Sequence, residues 1–270
     1  MPKANVNGIN ISYGADGHGE PLVLIMGFAG PKIGWIFQNC FFKKYYQVIT
    51  LDNRGVWRTD KPDGPYSIKM MADDTVGLMD HLGIKKAHIV GVSMGGMIAQ
   101  ELAINYPERV QKLVLGCTYA SKDVTGGLTP EYYKGIGFDD GSSNDELKKV
   151  AMGRLLTAVF SLSFSNRLYG MLATLLAKSY VILLSTKGVR AQYEATLDHN
   201  ALDRLHEIKA STLVIAGTQD RLIRPGSSET IADRIPNAKL IKVKDGSHSF
   251  FIERKGRFNT EVLAFLKEEK

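Results

Sequence analysis

Residues 91–95 of the chain read Gly91-Val92-Ser93-Met94-Gly95, a G-x-S-x-G. The pattern alone is a tight connection. Its chemistry comes from context: Ala87 to Val92 (AHIVGV) reads as a buried strand leading in, and the segment from Met94 onward reads as a helix leading out. A sharp strand-to-helix turn holds the serine in a strained conformation and lifts its hydroxyl from the sheet edge. Glycines two residues before and after remove side chains that would clash with it. The helix that follows aims its N-terminal N–H groups and positive dipole end where an oxyanion would form.

A serine hydroxyl is a poor nucleophile without a base. There are six histidines. His18 is in a hydrophilic N-terminal loop, His81 ends a helical pattern, His88 opens a strand at its remote end, and His199 and His206 precede the strand Thr212 to Gly217. His248 follows the last strand-like run by the short loop Lys244-Asp245-Gly246-Ser247. That puts it at the same C-terminal sheet edge as Ser93, where ligand sites of open α/β sheets occur. Asp220, just past the run TLVIAG, reaches that edge too and is the expected orienting acid. Asp245 is its rival, only three residues before His248 in one loop. The chain order Ser, Asp, His is the order associated with this motif. A second oxyanion donor is expected from the loop Met26-Gly27-Phe28-Ala29-Gly30, through the backbone N–H of Phe28 acting with that of Met94.

These residues need a scaffold that delivers them to one edge. Val6-Asn7-Gly8-Ile9 reads as a hairpin around an Asn-Gly turn. Leu22 to Met26, Gln47 to Asp52, Ala87 to Val92, Gln111 to Gly116, Thr212 to Gly217 and Ala238 to Val243 are apolar runs suited to strands buried on both faces. Helical spacing recurs over Met70–Leu82, Met94–Tyr106, Ser227–Ile235 and Phe250–Leu266. The alternation predicts an α/β fold: a mostly parallel central sheet with helices on both faces. It stops between about residues 117 and 210. The organisation read from this is an α/β core over 1–120 and 206–270, with a helical cap inserted at 121–205. Leu155, Leu156, Phe160, Phe164, Leu168 and Leu172 form a helical stripe there. Packing of that stripe on the core competes with a role for Phe160 and Phe164 in lining a substrate pocket.

Composition narrows the function classes. A 270-residue chain that is 44% hydrophobic and 23% charged has enough apolar content for a large core. The net charge of +6 is spread along the sequence without a basic-aromatic module, so no nucleic-acid partner is expected. The N-terminus has no apolar signal-like region, and Arg154, Arg167 and Lys178 interrupt the most apolar stretch, so no membrane span is expected. Two cysteines, Cys40 and Cys117, suit free thiols in a reducing cytoplasmic compartment. No H-E-x-x-H and no clustered Cys/His spacing occurs, so neither a metal nor a cofactor is expected. A homo-oligomer is compatible with the sequence.

The segments LVLIMGFAG, LDNRGVWRTDKP, GVSMGG, GTQDRLI and DGSHSF together resemble α/β-hydrolase-fold serine esterases and their relatives, the cofactor-free haloperoxidases, perhydrolases and enol-lactonases. The likeness covers about residues 5–120 and 205 to the end. It implies the α/β-hydrolase fold, a Ser93–His248–Asp220 triad and acyl transfer. Two positions depart from the family pattern. Met26 stands where the family usually has a histidine that braces the oxyanion loop, and Val56-Trp57 stands where a second glycine is common. Trp57 is either a packing residue or a wall of the substrate cleft. Dehalogenases and epoxide hydrolases of this fold carry aspartate at the nucleophile position, which Ser93 argues against. The expected activity is a serine carboxylesterase acting on a small-molecule ester. The alternatives are a lactonase (enol-lactone) or C–C bond hydrolase with the same triad, and behind them a perhydrolase or a non-catalytic receptor.

Overall fold

Among the described residues, alternating and continuous apolar runs become eight strands. A computed structural model describes residues 1–122, 171 and 185–268. The strands are β1 (Lys3–Val6), β2 (Ile9–Asp16), β3 (Pro21–Ile25), β4 (Gln47–Leu51), β5 (Ala87–Val92), β6 (Val110–Gly116), β7 (Ser211–Gly217) and β8 (Ala238–Val243). They form one sheet in the order β1-β2-β4-β3-β5-β6-β7-β8. β1 and β2 pair antiparallel through the turn at Asn7 and Gly8, both at positive φ, as an Asn-Gly hairpin requires. β2 also runs antiparallel to β4, and every later pairing is parallel.

The α-helices among the described residues are α1 (Ile36–Phe42), α2 (Ile68–His81), α3 (Met94–Asn105), α4 (Thr186–Asp198), α5 (Gly226–Arg234), α6 (Phe250–Glu253) and α7 (Lys255–Lys267). Strand residues alternate between two apolar layers. Val23, Ile25, Ile89 and Leu115 face α2, α3 and α5, while Leu22, Leu24, Val90 and Ile215 face α1, α6 and α7. This is the period-2 division of a sheet covered on both sides. In the second layer the buried rings of Trp35, Phe251 and Phe258 pack with centroids 5.3–6.5 Å apart.

The structure differs from the sequence expectation in two elements. The pattern over Phe250–Leu266 is two helices, α6 and α7, broken at Arg254 (φ −114°, ψ 35°). α1 was not anticipated: it has only seven residues, too few for a clear helical period. Of the expected cap, residues 121–122, 171 and 185–205 are described and include α4. The apolar stripe with Phe160 and Phe164 lies outside the described residues.

A second buried group sits where α3, α4 and β6 meet. The His199 side chain is about as enclosed as any in the core. Its Nε2 lies 3.4 Å from Gln100 Oε1 and its Nδ1 3.9 Å from Glu101 Oε1. Glu101 also pairs with Arg204. Burial holds the imidazole pKa down to about 4; the Glu101 charge opposes this and Arg204 adds to it.

Candidate active site

β5 ends in the core of the sheet and α3 begins two residues later, so the chain must reverse direction at Ser93. It does so at φ 54°, ψ −125°, a region that costs a residue with a Cβ on the order of 1–3 kcal/mol. The turn fits only because its flanks are bare. A Cβ at Gly91 would lie 2.1 Å from the Gly95 carbonyl oxygen, and one at Gly95 would lie 2.1 Å from the Ile25 carbonyl oxygen. The serine is pinned from behind. Its N–H donates to the Gly116 carbonyl, and its carbonyl accepts from Thr118 Oγ1 at 2.8 Å. The residue remains partly exposed.

β7 and β8, two and three strands along from β5, deliver the other groups to the same edge. Asp220 is buried. One carboxylate oxygen accepts from the N–H groups of Leu222 (2.8 Å) and Ile223 (2.9 Å); the other lies 2.8 Å from His248 Nδ1. Two backbone donors fix the carboxylate, and the carboxylate fixes the ring, which leaves Nε2 as the free imidazole nitrogen. Asp245 does none of this. It is exposed at φ 55°, accepting from Gln219 Nε2, and its N–H is held by Thr218. The sequence had left the two aspartates as rivals; only Asp220 touches the histidine. Among the described residues, neither Ser93 Oγ nor His248 Nε2 makes a hydrogen bond, and such contacts tighten in substrate complexes.

The loop after β3 lies against the serine. A Cβ on Gly27 would come 3.0 Å from Ser93 Cβ and 3.5 Å from its Oγ. The N–H groups of Phe28 and Met94, expected as oxyanion donors, make no hydrogen bond among the described residues. Met26 does not copy the hydrogen bonding of a histidine. Its thioether side chain is buried against Gly30 and Gly34, where any Cβ would come within 2.6 Å of it. The backbone of the loop is held instead by side chains: Asn53 Nδ2 donates to the Met26 carbonyl (3.0 Å), and Gln192 Oε1 accepts from the Ala29 N–H (2.9 Å). Trp57 is partly exposed at φ 47° in the loop after β4, on the same edge. Phe160 and Phe164 lie outside the described residues.

Two neighbours carried no sequence signal. Gln192, on α4, is one. Cys117, directly after β6, is the other: it is buried between the Ser93 turn and Asp220. Burial, then the Asp220 charge, pushes its thiol well above the usual cysteine range, while a backbone hydrogen bond at Ser93 pulls the other way. It is therefore a neutral packing group rather than a thiolate nucleophile. No cluster of three or more metal-binding side chains exists among the described residues, and no helix among them is long and apolar enough to cross a membrane.

The architecture has many relatives. A family model described as alpha/beta hydrolase fold matches residues 20–255. The chain is 32% identical, over 97% of its length and 99% of the relative's, to a Mycobacterium tuberculosis protein that carries the provisional name non-heme bromoperoxidase BpoC. It is 31% identical to a Caulobacter segnis protein provisionally named carbamate hydrolase RutD, over 92% of this chain and 91% of that one. Its structure superposes on the enol-lactonase of Burkholderia xenovorans LB400 with a TM-score of 0.87 at 27% identity, covering 99% of this chain and 100% of the other.

Proposed function

The chain belongs to the alpha/beta hydrolase fold family, and from that premise we propose that it is a serine carboxylesterase working through an acyl-enzyme. The observation that carries this reading is the Asp220–His248 pair, fixed at one end by the Leu222 and Ile223 N–H groups and set on the same sheet edge as the strained Ser93 turn. In the proposed reaction Ser93 Oγ attacks the ester carbonyl carbon while His248 Nε2 takes its proton. The N–H groups of Phe28 and Met94 receive the charge that develops on the carbonyl oxygen. The tetrahedral intermediate collapses, His248 returns the proton to the leaving alcohol, and the acyl group stays on Ser93. Water, deprotonated by His248, then releases the acid. Asp220 stays ionised throughout and holds the imidazole in the productive tautomer. No step in this sequence calls on a cofactor or metal.

The substrate in this reading is a small ester. In this reading Trp57 forms part of the cleft wall, and Phe160 and Phe164, which lie outside the described residues, set chain-length preference. A second reading has a specific observation behind it: the likeness to the Burkholderia enol-lactonase over the whole chain. A lactone is a cyclic ester, and the same acyl transfer opens it. The deciding experiment measures kcat/KM on p-nitrophenyl acetate and butyrate beside a panel of lactones and β-diketones. Turnover highest on the linear esters is expected. Turnover confined to lactones moves the assignment to the second reading, and turnover confined to β-diketones makes the chain a C–C bond hydrolase. Turnover of none of them removes the hydrolytic assignment.

A further inference from the structure

The peptide that presents the Phe28 N–H is held on its carbonyl side by a bond within the loop, and the loop is braced further by a side chain from α4. Gly27 to Gly30 form a turn closed by the Gly30 N–H on the Gly27 carbonyl (3.1 Å), and within it Ala29 sits at φ 53°, a strained value for a residue with a Cβ. Such a conformation persists only where the surroundings over-determine it. Gln192 is the part of those surroundings that comes from outside the loop's own neighbourhood. It is fully buried on α4, its Oε1 accepts from the Ala29 N–H (2.9 Å), and its Nε2 donates to the Arg54 carbonyl (2.7 Å). Asn53, next to Arg54, donates to the Met26 carbonyl at the other end of the same loop. The bonds close a ring: Gln192 to Arg54, Asn53 to Met26, then along the chain through Phe28 to Ala29 and back to Gln192. Arg54 is itself anchored by two bonds to Asp74, at 2.6 and 2.7 Å. α4 can come this close because Gly188 meets Gly55 backbone to backbone; a Cβ on Gly188 would lie 2.4 Å from the Gly55 carbonyl oxygen.

We infer that Gln192 is a positioning residue for acyl transfer: it holds the Phe28 N–H at the angle an oxyanion needs, and so ties the helix that follows residues 123–184 to catalysis. The inference rests on the proposed acyl-transfer reading. An amide suits this place for a definite reason. One end must accept from a backbone N–H while the other donates to a backbone carbonyl, and a side chain that cannot do both loses one of the two bonds. Glutamine does this at every pH. A glutamic acid does it only when protonated, since a carboxylate accepts but does not donate.

The test compares Gln192→Met and Gln192→Glu with the parent enzyme. Gln192→Met is expected to lower kcat about 10- to 100-fold with KM within about threefold, the pattern of misplacing a transition-state donor. Affinity for a trifluoromethyl ketone, whose tetrahedral hemiketal adduct with Ser93 Oγ carries the oxyanion, falls by the same factor as kcat/KM. Gln192→Glu regains activity relative to the parent as the pH is lowered, whereas the Gln192→Met ratio stays flat. Hydrogen exchange of the Gly27–Gly30 amides speeds up in Gln192→Met, and this reads the loop whether or not esters are the substrate. Failure of the acyl-transfer reading appears separately, as a parent that neither hydrolyses esters nor binds the ketone. The inference is overturned by unchanged amide exchange or kcat/KM within about twofold of the parent in Gln192→Met, by a Gln192→Glu to parent ratio that does not rise as the pH is lowered, by a loss carried in KM, or by failure of both variants to fold.

Discussion

Replacing His199 with glutamine should flatten the acid side of the stability profile, and the size of the effect follows from its burial. The folded imidazole has a pKa near 4, against 6.5 for an unburied one. Well above pH 6.5 both the folded and unfolded chains carry it uncharged, so it contributes no pH dependence there. As the pH falls through 6.5 the unfolded chain binds a proton that the folded chain refuses, and stability declines until the folded group titrates near 4. A separation of two to three pH units corresponds to about 3 kcal/mol in full, of which about 2 kcal/mol is reached near pH 5. Against a typical stability of about 5–15 kcal/mol this is readily measured. The assay is urea unfolding of the parent and His199→Gln at several pH values between about 7.5 and 5. The parent should lose about 2 kcal/mol more than the variant over that range. Glutamine keeps a partner for Gln100 and carries no proton to titrate. Parallel profiles would refute the reasoning. They would mean that His199 binds its proton in the folded protein as readily as outside it, with the Glu101 charge outweighing burial.

The remaining predictions concern the site. Asp220→Asn should lower kcat by a factor on the order of 10⁴, as loss of the orienting carboxylate does elsewhere, while Asp245→Asn, exposed and out of contact with His248, should stay within about threefold of the parent; the reverse ranking in steady-state kinetics would assign the wrong acid. Gly27→Ala puts a Cβ 3.0 Å from Ser93 Cβ and 3.2 Å from the Val92 carbonyl oxygen, so the oxyanion loop must retreat from the nucleophile. It should cost about 10- to 100-fold in kcat/KM with a small change in melting temperature, and an unchanged kcat/KM would show that the loop's distance from Ser93 is immaterial.

Much of this architecture is written in local patterns. The runs at 22–26, 87–92, 111–116 and 212–217 became strands because buried parallel strands carry apolar residues on both faces, and that signal survives without knowledge of the fold. Ser93, Asp220 and His248 were legible because each follows a recognisable strand by a few residues, so counting strands places them on one edge. What escaped was whatever depends on packing between distant segments. Gln192 sits in a stretch with no strand-like landmark, 163 positions from the Ala29 N–H it accepts from. The choice between Asp220 and Asp245 needed the orientation of two loops, since both aspartates are near His248 in space or sequence. Met26 looked like a lost brace when only the residue type was known. The bare backbones of Gly30 and Gly34, which give its side chain a seat, explain how the loop tolerates it.

The central claim is that acyl groups pass through Ser93. It is tested most directly by mixing the enzyme with p-nitrophenyl acetate, quenching in acid within the first turnovers, and locating the acetyl group by peptide mass spectrometry. The account predicts one acetyl group on the peptide containing Ser93, none in Ser93→Ala, and a loss of kcat on the order of 10⁶ in that variant. An acetyl group on another residue, or ester turnover by Ser93→Ala within about tenfold of the parent, would contradict it.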